Sequence, residues 1–321
     1  MKKIGVLTSG GDAPGMNAAV RAVTRAALAK GMSVLGIKRG YVGLLNREYV
    51  EMTARSVSGI IQRGGTCLYT ARCPEFATME GVLKGKAACE ELGLEGLVVI
   101  GGDGSFRGAG DLSGAGIPCV GIPGTIDNDI QCTEYTIGYD TAMNTCVDMI
   151  DKLRDTMQSH NRCSVVEVMG RRAGYMAVNV ALAVGAEACL TLEREYDLEA
   201  IAAKMTATAQ SKDGKHHFII VVAEGVGQTE AIARQIQEMT GIEARATILG
   251  HVQRGGSPTL RDRVLATEMG YHAVELLEKG IGNRIVGLKD GQVYDIDLKE
   301  GLAMKKPFLD RRYDIFYDTA Y

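Results

Sequence analysis

At 321 residues, with 46% hydrophobic and 23% charged residues, the chain has the length of about two domains and can bury a sizeable core. A net charge of −3 and the absence of Trp leave neither a basic surface nor a base-stacking platform, which excludes a sequence-independent grip on nucleic acid or an anionic membrane. Forty-one glycines against six prolines suggest tight strand-to-helix turns rather than a proline-rich or disordered chain.

The start, Met1-Lys2-Lys3-Ile4-Gly5-Val6-Leu7, is charged, and its apolar run is too short for a signal peptide. A strand is predicted over 4–8 and a helix over 17–30, with Met16, Val20, Val23 and Ala27 on one face. Further strands are predicted over 34–37, 97–100, 119–122, 165–169 and 218–223. A polar helix is predicted over 141–156, and the first domain boundary is placed at its start, near Tyr139. The apolar stretch 173–190 is interrupted by Asn179 and Glu187, and reads as a buried helix and strand rather than a membrane span. A soluble, cytoplasmic protein is expected.

Strands apolar on both sides suit a parallel sheet covered by helices, so the fold class is α/β. In such sheets ligands sit beyond the carboxyl ends of the strands. The eight cysteines form no C-x-x-C pair; reduced, mostly buried thiols are expected, rather than zinc ligands or disulfides.

Three strand ends carry polar motifs. The first runs into Thr8-Ser9-Gly10-Gly11-Asp12-Ala13-Pro14-Gly15-Met16-Asn17, where backbone amides and a helix start suit a phosphate, although a tight turn alone would also call for the glycines. The second runs into Gly101-Gly102-Asp103-Gly104-Ser105. Asp103 there suits Mg²⁺ bound to nucleotide phosphates, which the flanking glycines let pass close to the backbone. The third leads into Pro123-Gly124-Thr125-Ile126-Asp127-Asn128-Asp129, where carboxylates two apart on an extended chain would point to one side. There is no Walker A pattern, and Arg107 stands where a dinucleotide fingerprint needs its third glycine.

A Gly-Gly-Asp-Gly run alone also marks NAD kinases and diacylglycerol-type lipid kinases. Together with 123–129, Met169-Gly170-Arg171 and Gly250-His251-Val252-Gln253-Arg254-Gly255-Gly256, the chain resembles the bacterial ATP-dependent 6-phosphofructokinases from about residue 3 to 284. The resemblance implies two three-layer α/β domains with largely parallel sheets and an active site in the cleft between them. It implies an ATP-binding domain of 1–138 with about 252–305, and a fructose 6-phosphate domain of 139–251 with about 306–321. ATP contacts are implied at Gly11, Arg72, Cys73, Gly102, Asp103, Gly104 and Ser105, with Mg²⁺ on Asp103 and Asp129 supporting the metal or its waters. Asp127 would take the proton of the sugar 1-hydroxyl, and Thr125 and Arg171 would lie beside the transferred group; Gly11 and Arg72 complete the catalytic set. Pyrophosphate-dependent relatives carry Asp and Lys where this chain has Gly104 and Gly124, which favours ATP as donor.

For the acceptor, the resemblance implies Thr125, Ile126, Asp127, Arg162, Met169, Gly170, Arg171, Glu224, Arg245, His251, Val252, Gln253 and Arg254. Arg162 and Arg245 would reach a neighbouring subunit's site, so a homotetramer is expected. Arg21 and Arg25, four apart on one helix face, read from spacing alone equally as a solvated stripe. By resemblance they belong with Arg55, Gly59, Arg154, Gly185, Glu187, Lys212, Lys215 and His217 to an ADP or phosphoenolpyruvate effector site. Ala54 and Asp213 depart from that pattern, so the effector site is expected to be weaker or altered. The competing readings are a pyrophosphate-dependent relative and a catalytically silent sugar-phosphate sensor.

Overall fold

The computed structural model describes residues 1–211 and 217–320. Two compact units divide the chain: Met1–Thr141 with Arg254–Lys306, and Ala142–Gln253 with the residues from Pro307 onward. Among the described residues, no helix is long and apolar enough to cross a membrane.

The first unit begins with β1 (Lys3–Ser9), α1 (Met16–Ala29), β2 (Ser33–Ile37), α2 (Gly40–Asn46), β3 (Tyr49–Met52), α3 (Met79–Glu91), β4 (Gly96–Gly101), α4 (Asp103–Gly114) and β5 (Cys119–Pro123). Next, α5 (Tyr139–Gln158) opens in this unit, and its first turn is held by a buried carboxylate. Asp262 accepts from Gly138 N at 2.9 Å, Thr141 N at 2.8 Å and Thr141 Oγ1 at 2.5 Å. Burial pushes the Asp262 carboxyl up, against these three donors.

The second unit holds the rest of α5, β6 (Cys163–Val168), α6 (Tyr175–Val184), β7 (Ala188–Leu190), α7 (Leu198–Gln210), β8 (Phe218–Ala223), α8 (Thr229–Thr240) and β9 (Ala244–Ile248). After a 3-10 turn at Gly250–Arg254 the chain returns to the first unit with α9 (Leu260–Glu278), β10 (Arg284–Lys289), β11 (Gln292–Asp297) and α10 (Leu298–Ala303). It then adds α11 (Asp310–Thr319) to the second.

The seven-stranded sheet of the first unit has the order β11-β10-β5-β4-β1-β2-β3. Its five central strands are parallel; the edges β3 and β11 are antiparallel. The sheet's inward side chains, such as Leu7, Ile37, Leu97, Val99 and Cys119, share a core with Phe76, Phe106 and Leu112 of the covering segments. On the opposite face α1 lies against α9, and both bury a continuous apolar side, including Val20 and Val23 on α1 and Met269 and Ala273 on α9.

The second unit's four strands, in order β7-β8-β6-β9, are all parallel. Cys163, Val165, Ile220 and Val222 pack with Met205, Ile232 and Ile236 of α7 and α8. Two parallel-stranded sheets built through helical crossovers are the α/β class expected from the β-branched runs.

Candidate active site

Register brings the first unit's three polar strand ends level. Ser9 of β1 pairs with Gly101 of β4, and Gly101 pairs with Pro123 of β5. The order also reverses between β1 and β4, because α1 leads toward β2 on one side and α4 toward β5 on the other. A crevice at such a reversal is where open α/β sheets bind ligands.

Gly11 and Arg254 meet here. A Cβ on Gly11 would lie 2.5 Å from Arg254 Nη1, which donates to Asp12 O at 3.0 Å. Glycine is therefore required for the guanidinium to lie on the β1–α1 turn. Ser105 comes next: a side chain on Gly10 would stand 3.5 Å from its Oγ, so the turns after β1 and β4 touch. Arg72 is exposed and Cys73 half-buried, with Cys73 packed on the core. Their segment is tied to β1 by Thr70 Oγ1 donating to Gly10 O at 2.7 Å and Thr8 Oγ1 donating to Tyr69 O at 2.8 Å.

Asp103 is the first residue of α4, preceded by the extended Gly102. Its carboxylate gains from the helix dipole there. Arg107, one turn on, donates Nε to it at 2.9 Å and Nη2 at 3.3 Å. Among the described residues no three His, Cys, Asp or Glu side chains form a metal cage. A single half-exposed carboxylate suits Mg²⁺, which keeps waters and borrows phosphate oxygens. Gly104 faces open space, where a Cβ would meet nothing within 4 Å.

The segment after β5 corrects one expectation. Asp127 and Asp129 do not lie on extended chain: Asn128, between them, has φ of 51° and turns the backbone left-handed. Alternation across a strand therefore does not describe these carboxylates. Thr125 is fixed by its N–H to Ile137 O at 3.1 Å and by Thr136 Oγ1 to its own O at 2.6 Å, and Asp127 N donates to Thr125 Oγ1 at 3.2 Å. Thr125, Ile126 and Asp127 are all buried. Gly124 is confined, since a Cβ there would lie 3.0 Å from Ile100 and 3.2 Å from Met16.

Lys306 was not singled out from sequence. Its Nζ donates to Asn128 O at 3.0 Å and Glu134 O at 3.3 Å. Burial pulls its amine down to about 8, while Asp129, Cys132 and Glu134 pull it back up. The contact spans 178 residues, and no local pattern announces it.

In the second unit, Met169, Gly170 and Arg171 follow β6, and Glu224 follows the adjacent β8. Arg171 N donates to Glu224 Oε1, and Gly225 is pressed so closely against Arg171 O that a Cβ would lie 2.6 Å away. His251 and Val252, beyond β9, are exposed. Gln253 is fully buried, and its Oε1 accepts from Met169 N at 3.0 Å and Cys146 Sγ at 3.1 Å, so it supports Met169 from beneath.

Arg162 and Arg245 stand elsewhere. They lie at the amino ends of β6 and β9, roughly 20 Å along the strands from residues 169–171. Both grip Glu243: Arg162 Nε at 2.7 Å, Arg245 Nε at 2.8 Å and Nη2 at 2.6 Å. The hydrogen bonds from Arg162 and Arg245 hold the Glu243 carboxyl below its usual range.

The residues that the resemblance assigns to an effector site fall into two groups. On α1, Arg25 Nη2 reaches Ala54 O at 3.5 Å, beside exposed Arg55 and Gly59, while Arg21 is half-buried. In the second unit, Arg154 Nη2 donates to Val184 O beside Gly185, its Nη1 lies 3.5 Å from His217 Nε2, and Glu187 is buried. Lys212 and Lys215, with Asp213, lie outside the described residues.

Residues 3–277 match the protein family described as phosphofructokinase. The chain is 54% identical over 321 residues, all of both chains, to an ATP-dependent 6-phosphofructokinase of Clostridium tetani. It is 55% identical over 315 residues, 98% of each chain, to one of Clostridium botulinum. Its fold matches a phosphofructokinase of Pichia pastoris solved in the T-state, with a TM-score of 0.93 and 31% identity, over 99% of this chain and 39% of that one.

Proposed function

Because the chain belongs to the phosphofructokinase family over most of its length, we propose that it transfers the γ-phosphate of ATP to the 1-hydroxyl of fructose 6-phosphate, giving fructose 1,6-bisphosphate and ADP, a step of glycolysis. The observation that carries this reading is the level alignment of three strand ends at the β1/β4 reversal, each bearing the glycines or carboxylates that phosphate handling needs.

The first unit binds the nucleotide. Gly11 and the amides of residues 102–105 cradle its phosphates, with Arg72 and Cys73 at the flanking segment. Asp103 would hold Mg²⁺, with Asp129 supporting its waters, and the ion would supply positive charge toward the transferred group when bound. Asp127 accepts the proton of the 1-hydroxyl as the new O–P bond forms and the bond to the ADP oxygen breaks. A carboxylate suffices as the acceptor when transfer comes late, once bond formation has acidified the hydroxyl. Thr125 and Arg171 stabilise the group in flight.

The second unit binds the sugar phosphate through Met169, Gly170, Arg171, Glu224 and His251. Arg162 and Arg245, at the opposite ends of their strands, serve the site of a neighbouring copy in a homotetramer. ADP or phosphoenolpyruvate acts through the arginines of α1 and Arg154. A cytoplasmic location follows from a glycolytic substrate pair.

A coupled assay with fructose 6-phosphate, offering ATP and pyrophosphate separately, tests the reading. Turnover with ATP alone is expected; turnover with pyrophosphate alone would assign the chain to the other donor class. Confined Gly124 favours ATP, because a lysine there would displace Ile100 or Met16. Saturation curves for fructose 6-phosphate with and without ADP and phosphoenolpyruvate test the effector site, and no response to either would remove it.

A further inference from the structure

We propose that Lys306 is a positioning residue for phosphoryl transfer, its ammonium fixing the left-handed turn at Asn128 that lies between Asp127 and Asp129. This rests on the kinase reading above and names a residue that the reading does not include.

Bonds from Thr136 Oγ1 and to Ile137 O fix the chain at Thr125, and Asp127 N reaches back to Thr125 Oγ1 at 3.2 Å. The chain then turns at Asn128, whose φ of 51° lies where L-residues are disfavoured. A residue in that conformation points its carbonyl away from any strand or helix partner, and a buried carbonyl needs a donor. Asn128 is 4% exposed, and Lys306 Nζ is that donor at 3.0 Å. The same ammonium donates to Glu134 O, which also accepts Asn128 Nδ2 at 3.2 Å, so both ends of the loop share one cation. A third point is fixed by the Lys306 backbone N–H, which donates to Gln131 Oε1 at 2.6 Å, while Gln131 Nε2 donates to Asp129 O at 3.0 Å. One residue thus touches the loop at its bend and at two points beyond it.

A merely structural clasp and a positioning residue differ in kinetics. Misplacing a reacting group by about an ångström costs on the order of 100-fold in rate, whereas substrate affinity made elsewhere is kept. In the full-length chain, Lys306→Met removes the donor and keeps the length of the side chain. The expected result is a kcat about 10- to 100-fold lower, with KM for ATP and fructose 6-phosphate each within about threefold of wild type. A folded Met variant with the wild-type kcat overturns the proposal, as does a rise in KM with kcat unchanged. Should Lys306→Met fail to fold, Lys306→Gln takes its place, with a shorter, uncharged side chain that cannot span both carbonyls. The same loss of kcat at near-constant KM is expected of it, and an unchanged kcat again overturns the proposal. Absence of kinase activity in the wild-type protein would instead overturn the assigned function, so the two failures are distinguishable.

Discussion

Asp127 has a neighbour that the sequence pattern misrepresents. Alternation along an extended chain would set Asp127 and Asp129 side by side, and the left-handed Asn128 removes that geometry. Asn tolerates this conformation better than most residues, so its presence between two aspartates was a signal that a period-of-two argument could not weigh. The glycine–aspartate tips at 10–12 and 102–105 were legible because phosphate-binding turns need a local sequence. Lys306 was not, because its partners are far away along the chain. Asp127→Ser is expected to lower kcat by about 10²- to 10⁴-fold while leaving substrate binding largely intact, measured by steady-state kinetics beside equilibrium binding of fructose 6-phosphate. An unchanged kcat would remove the assigned role. The cysteines give a second expectation at this scale. Burial pushes Cys89, Cys146 and Cys163 up to about 12 and Cys132 up to about 11, so these are neutral thiols at physiological pH. A colorimetric thiol reagent at pH 8 should label half-buried Cys67 and Cys73 first, and the six buried cysteines only on unfolding.

Elements were legible where their period was clean. The strand predicted over 218–223 matches β8, and the helix predicted over 17–30 is α1 to within one residue at each end. The hairpin of β10 and β11 went unread, although Asp290-Gly291 with φ of 50° and 74° is the two-residue turn that such hairpins favour. Within it, burial raises the Asp295 carboxyl, and hydrogen bonds from His272 and Arg284 outweigh that and hold it below the usual range. The unfolded chain therefore takes up this proton first as pH falls. The stabilisation is complete above the unfolded value of about 3.9 and is lost as pH drops through the folded one. Denaturant midpoints between pH 5 and 3 should fall less steeply for Asp295→Asn than for wild type. The contact of α1 with α9 depends on Gly270, where a Cβ would lie 2.7 Å from Ala22 Cβ and 3.2 Å from Ala19 O. Gly270→Ala should cost about 1–3 kcal/mol despite its better helix propensity, read as a lower midpoint with an unchanged slope.

For the whole molecule, the α/β class could be read from apolar strands alternating with helical patterns. Arg162 could be read as standing ahead of the strand predicted over 165–169, but the placing of Arg245 could not, because no strand is predicted around it. Those two arginines lie at the amino ends of β6 and β9, away from residues 169–171, 224 and 251. If they complete another copy's site, Arg245→Ser and Asp127→Ser should each be nearly inactive alone. Subunits of the two, dissociated and reassembled together, should then recover measurable turnover. No recovery in verified mixed oligomers would return both arginines to their own chain.

The seven-stranded sheet takes its last two strands from beyond residue 283, while the four-stranded sheet is complete once β9 ends at Ile248. A chain emerging from the ribosome therefore finishes the later-starting sheet first. Until β10 arrives, β5 presents an unpaired edge for on the order of ten seconds at ordinary synthesis rates. Such an edge is a template for pairing with another nascent chain, so holdase chaperones have a defined interval in which to act.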